Sequence, residues 1–123
     1  MTATAAVALA QTPVATVSNA YSVLDRSDDA LVQRCAQEGI AYLPYFPLGA
    51  SPVRSGAGVT GAAAVSQVAA RLGATPTQVA LAWLLQRTPT TVPIPGTSQV
   101  AHLEENLVAA DLELSAQDLV ALG

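Results

Sequence analysis

The chain has no lysine, a single cysteine and a single histidine, and aromatic residues occupy only 4% of its 123 positions. Each shortage removes a class of function. With no lysine and five scattered arginines (Arg26, Arg34, Arg54, Arg71 and Arg87), no basic face can displace counterions from a nucleic acid. Nucleic acid is therefore not an expected partner. Cys35, alone, can form neither an intrachain disulfide nor a multi-cysteine metal site, and its helical context reads as a small buried hydrophobe. No metal site is expected. No stretch approaches the roughly 18–20 apolar residues of a membrane span. Met1–Ala10 ends in Ala8-Leu9-Ala10, like a cleavable signal, but it lacks a positive leading region and its apolar run is short. A cytoplasmic location is the default expectation.

What is present is apolar. Hydrophobic residues make up 51% and charged residues 11%, which excludes disorder as a description of the whole. The length suits one modest domain over residues 1–123. Much of the apolar content is alanine, which buries little area per residue, so the stability margin is thin. The net charge of −4 is unevenly placed. All acids lie in Asp25–Glu38 or Glu104–Asp118, whereas Arg54, Arg71 and Arg87 fall in the acid-free middle. Such a segment repels a phosphate less; a buried apolar region explains it equally well.

Two periodicities alternate along the chain. Val14–Val17 is a short β-branched run after Pro13 and reads as a buried strand. Ser27 is placed to cap a helix whose first turn holds Asp28 and Asp29, with Leu31, Val32 and Cys35 as its stripe and Gly39 as its end. Ile40–Tyr45 repeats the strand signal, and a Gly/Ser/Pro-rich loop follows to about Gly61. Val65, Val68, Ala69 and Leu72 mark one helix face. Thr75-Pro76-Thr77-Gln78 opens the next helix as a capping box with proline at the first helical position. That helix should bury Val79, Trp83 and Leu84. Thr91–Ile94 reads as a third strand, Ser98 as the cap of a helix through Leu103 and Leu107, and Ser115–Asp118 as another capping motif. Strands alternating with helices imply parallel βαβ units. Three parallel strands leave faces and edges uncovered, and a complete (β/α)8 barrel typically needs about 250 residues. The expected fold class is α/β: part of such a barrel.

Two segments carry a family resemblance. Pro44-Tyr45-Phe46-Pro47-Leu48-Gly49 resembles the aromatic-x-Pro-Leu-Gly turn of aldo-keto reductases. The run from Ile94-Pro95-Gly96-Thr97-Ser98 through His102 to Glu105-Asn106 resembles that family's last barrel strand and following helix. Thr77–Leu85 matches its characteristic helix, and Asn19–Ser22 fits the loop after an earlier strand. The resemblance implies a partial TIM barrel holding the sixth, seventh and eighth strands. It implies NADP as cofactor, with NAD as the alternative. Tyr45, with Phe46 beside it, would stack on the nicotinamide, and Pro47, Leu48 and Gly49 would pass close to the pyrophosphate. Pro95, Gly96, Thr97 and Ser98 would form the phosphate turn, with Thr97 at the 2′-phosphate. Glu105 and Asn106 would face the adenine. Many relatives have Lys at Gly96, Arg at His102 and Gln at Ser18, so this chain departs from the pattern at three binding positions.

The family's Tyr, Lys, His and Asp come from earlier strands, so no catalytic residue is expected here. A small carbonyl compound would be a substrate only if a separate N-terminal half completed the barrel. The alternatives are a non-catalytic nucleotide-binding module and a half-barrel that self-associates. Other signals read as structural. Gly56-Ala57-Gly58-Val59-Thr60-Gly61 spells G-x-G-x-x-G, but it neither follows a strand directly nor precedes an acid by about 20 residues, so a loop is preferred. His102 by itself reads as a surface or capping residue rather than a base, and the resemblance places it among the cofactor-binding positions. Tyr42 and Tyr45, three apart on a strand, should face opposite sides. Tyr21 is rejected as proton donor, since no lysine is present to lower its pKa.

Overall fold

The computed structural model describes residues 3–49 and 58–123. β1 (Thr16–Val17) and β2 (Ala41–Tyr42) pair in parallel, Thr16 opposite Ala41 and Val17 opposite Tyr42. Pairing resumes beyond them at a parallel Ala20–Tyr45 bridge. On the other side of β2, the Tyr42 N–H donates to the Thr90 carbonyl and the Val92 N–H to that of Tyr42. This places Thr91 beside Tyr42 in a single parallel bridge. The expected third strand over Thr91–Ile94 is thus corrected to one paired residue. The next donor in that ladder would be residue 44, a proline without an N–H, and Pro93 restricts the facing chain. The result is a mostly helical α/β chain with a small parallel sheet.

α2 (Asp29–Glu38) buries Leu31, Val32 and Cys35 as expected and ends at Gly39, whose φ of 69° is the left-handed geometry that suits glycine. Its start differs. The Ser27 hydroxyl donates to Asp25 at 2.7 Å, and Asp28 precedes the helix without capping it. Asp28 is buried, and its carboxylate accepts from the Asn19 amide at 2.6 Å and the Tyr42 hydroxyl at 3.3 Å. Those partners across the fold take the carboxylate that a local cap would have used.

α3 (Ala63–Leu72) and α4 (Pro76–Arg87) pack together. α4 buries every residue from Val79 to Leu84, so it is enclosed on all sides. Its capping box is present, with the Gln78 N–H donating to Thr75 and the Thr75 N–H to Gln78. Trp83 lies 5.7 Å from the Tyr21 ring, and the Arg26 and Arg87 guanidinium groups sit 4.6 and 5.3 Å from its centre. α6 (Ala116–Leu122) begins with the expected Ser115–Asp118 box; Asp118 is fully buried and also pairs with Arg71 of α3.

α5 (Val100–Val108) departs from its sequence reading. Gln99, not Ser98, precedes it, and Thr97 accepts from the Gln99 N–H at 3.1 Å. None of its residues is buried, and Leu103 and Leu107 are 50% and 65% exposed. They border an apolar groove of about 430 Å³ shared with Leu81, Leu85 and Val92. The N-terminal segment forms α1 (Ala3–Gln11), which periodicity did not mark; Ala5 and Leu9 pack it against the core. Among the described residues no helix is long and apolar enough to cross a membrane.

Candidate functional site

The turn after β2 is built by its backbone. Phe46 adopts φ 53° and Gly49 φ 68°, and the Gly49 N–H donates back to the Phe46 carbonyl at 2.9 Å. The left-handed geometry disfavours any side chain at Gly49, and a Cβ there would also meet Leu24 Cδ1 at 3.0 Å. That glycine therefore has a fold requirement of its own, besides any ligand approach. Pro47 is buried, while Tyr45 and Phe46 are exposed, edge to face, with ring centres 5.1 Å apart. Tyr42, by contrast, is fully buried, so the two tyrosines do differ as their spacing requires.

The Leu48 carbonyl accepts from the Val59 N–H at 3.0 Å, which ties this turn to a short 3-10 segment, Gly58–Gly61. That segment leads into α3, and it holds the second half of the glycine pattern; Gly56 and Ala57 lie outside the described residues. Opposite stand the residues before α5 and its first turns. Leu48, Thr60, Thr75, Pro76, Thr77, Gly96, Thr97, His102, Glu105 and Asn106 together line a cleft of about 410 Å³. This volume lies within the roughly 300–1,000 Å³ of small-molecule sites.

Six residues expected from sequence (Leu48, Gly96, Thr97, His102, Glu105 and Asn106) meet in this one cleft. The others lie apart from it. Tyr45, Phe46, Pro47 and Gly49 belong to the turn that carries Leu48, and Ser98 is exposed on the approach to α5. Pro95 lines the apolar groove, and Asn106 borders both cavities. The Ser18 hydroxyl donates to the Leu43 carbonyl at 2.8 Å, across to the neighbouring strand. Thr60, Thr75, Pro76 and Thr77 also line the cleft and were not expected there. Thr75-Pro76-Thr77 was legible only as a helix start, because a capping box accounts for those residue types without any ligand.

The cleft combines hydroxyl, imidazole, carboxylate and amide side chains with apolar ones. The first-turn N–H groups of a helix have no partners within it, which suits an anion near Thr97 and His102. Glu105 and Asn106 offer hydrogen-bonding groups one turn further along. Glu105 is itself held, accepting the Thr75 hydroxyl at 2.6 Å on its carboxylate and the Gln78 amide at 3.1 Å on its main-chain carbonyl. Among the described residues no cluster of three or more His, Cys, Asp or Glu is arranged for a metal. Burial, then its hydrogen bond to Asp29, push the Tyr21 pKa up to about 12. Arg87 donates to the same hydroxyl at 3.0 Å and pairs with Asp29 at 2.9 Å, so the three form one structural network.

Known proteins resemble this chain over most of its length. The chain is 52% identical over 107 residues to pyridoxine 4-dehydrogenase of Escherichia coli, covering 86% of this chain and 35% of that protein. It is 40% identical over 105 residues to an uncharacterized oxidoreductase of Schizosaccharomyces pombe, covering 85% and 33% respectively. It thus spans about a third of the length of these relatives. The fold superposes with a TM-score of 0.83 on an aldo/keto reductase from Klebsiella pneumoniae in complex with NADP and acetate, at 26% identity, over 99% of this chain and 44% of that one. A second Klebsiella pneumoniae structure, an aldo-keto reductase with NADPH, gives 0.76 at 29% identity over 88% of this chain and 38% of that one. A sequence model of the Aldo/keto reductase family matches residues 2–122, and the chain belongs to that family.

Proposed function

We propose that this chain carries the adenosine-phosphate side of an NADP site, within the sixth to eighth strand units of a (β/α)8 oxidoreductase barrel. The observation that carries the reading is the convergence of Leu48, Gly96, Thr97, His102, Glu105 and Asn106 on one cleft. Thr97 and the start of α5 would hold the phosphate, with Glu105 and Asn106 at the adenine. The exposed rings of Tyr45 and Phe46 supply flat apolar faces for the nicotinamide end. NAD is the alternative, since Gly96 and His102 provide no permanent positive charge. When bound, the cofactor supplies hydride to an aldehyde or ketone. This chain's residues bind and orient; its lack of lysine leaves the family's proton-relay set to a completing N-terminal half.

Calorimetric titration with NADP tests the reading. Binding should be measurable and weak, because the chain spans only about a third of the length of the relatives it matches, and it should fall in Thr97→Ala and Asn106→Ala. Equal binding by both variants and the unaltered chain would refute the assignment. A second reading, self-association, is favoured by the open apolar groove beside Val92, Leu103 and Leu107.

A further inference from the structure

We infer that Thr75 and Gln78 are positioning residues for nucleotide-base selection, acting through Glu105. This rests on the nucleotide reading of the cleft and adds a device to it. The two side chains form the capping box of α4, yet each also reaches α5. Thr75 Oγ1 accepts the Gln78 N–H at 3.2 Å, which leaves its one proton to donate, and it donates to Glu105 Oε1 at 2.6 Å. Gln78 Oε1 accepts the Thr75 N–H at 3.0 Å, and its amide nitrogen donates to the Glu105 carbonyl at 3.1 Å. Both donors that the box leaves over are therefore spent on one residue of another helix.

The chemistry of that clamp is directional. A neutral hydroxyl and an amide N–H can only donate at these two contacts, so Glu105 is fixed as an acceptor on both its side chain and its backbone. Thr75 and Glu105 both line the cleft, with Asn106 adjacent. With one carboxylate oxygen taken by Thr75, the other remains an acceptor for a donor in the cleft. A base bearing an exocyclic amine complements it; a base bearing a carbonyl at that position meets it acceptor to acceptor. The clamp holds the carboxylate at one place, and a fixed acceptor discriminates where a mobile one would turn away.

Two substitutions separate the clamp from the cap. Thr75→Asp keeps a good N-cap acceptor but removes the donor and sets a like charge against Glu105. Gln78→Glu keeps the capping box and replaces the amide donor by an acceptor. The experiment titrates the full chain with NADP and with its hypoxanthine analogue, and follows thermal unfolding in parallel. The unaltered chain should prefer the adenine form by about tenfold, as one charge-assisted hydrogen bond allows. Thr75→Asp and Gln78→Glu should bring that ratio to within about twofold of unity while Thr75→Ser, which keeps both bonds, retains it. Binding of NADP with no base preference, or with the preference intact in Thr75→Asp, would overturn the clamp and leave the nucleotide reading standing. Failure of the unaltered chain to bind either dinucleotide would remove both. If Thr75→Asp unfolds early, Gln78→Glu reads the ratio alone.

Discussion

Single side chains show how one residue type serves different ends. His102 lines the cleft beside Gly96 and Thr97 without a permanent charge, so phosphate selectivity should be modest. His102→Arg places a fixed cation there, and the ratio of NAD to NADP dissociation constants should rise about tenfold. An unchanged ratio in paired titrations would place the phosphate elsewhere. Tyr21 gives a pH prediction. Burial and Asp29 raise its pKa to about 12 in the folded chain, against about 10 in the unfolded chain. The folded state keeps the proton where the unfolded state has lost it. Its stabilising contribution is therefore complete below pH about 10 and is lost as pH rises towards about 12. Chemical denaturation across that window should show a steeper loss in the unaltered chain than in Tyr21→Phe. Parallel curves would contradict the linkage.

At the level of elements, α4 is the member on which the others depend. It is wrapped by neighbours, its start clamps α5, and its end brings Arg87 to Trp83, Asp29 and Tyr21. Truncating fully buried Leu84 to alanine should cost about 2–5 kcal/mol, measured by urea unfolding. In a core with so much alanine, that loss should take a large share of the total stability. α6 depends on its cap: Ser115 and Asp118 bond each other reciprocally, and Asp118 also reaches Arg71 on α3. Ser115→Ala should cost about 1 kcal/mol. Asp118→Ala should cost more, because it removes the tie between α6 and α3 together with half of the cap.

For the molecule as a whole, the question is what covers the apolar groove. Leu103 and Leu107 present an apolar face of α5 that nothing within the described residues buries, next to an exposed Val92. Pro93 and Pro95 restrict backbone pairing along that edge, so any self-association there would have to proceed through side-chain packing. Light scattering should show mass rising with concentration, and Leu107→Glu should shift the chain towards monomer. A monomer at all concentrations would argue against the self-associating reading. Steady-state assay with NADPH and aromatic aldehydes should show no turnover by the chain alone. Turnover abolished by Tyr45→Ala would overturn that expectation.

Local chemistry made much of this legible in advance. The Thr75–Gln78 and Ser115–Asp118 boxes, the Gly39 stop and the buried faces of α2, α3 and α4 each depend on residues within a few positions of one another. Such interactions are complete within a helical turn, so spacing alone determines them. The motifs at Pro44–Gly49 and Ile94–Asn106 likewise named most of one side of the cleft. Tertiary structure decided the rest. Asp28 is drawn from capping to Asn19 and Tyr42, Pro44 stops the ladder that Thr91 begins, and Leu103 and Leu107 are left uncovered. The clamp on Glu105 joins residues 30 positions apart, and no local pattern records that meeting. Short-range hydrogen bonds are written in residue order; which buried partner wins a carboxylate, and which apolar face finds cover, depends on what the folded chain places beside it.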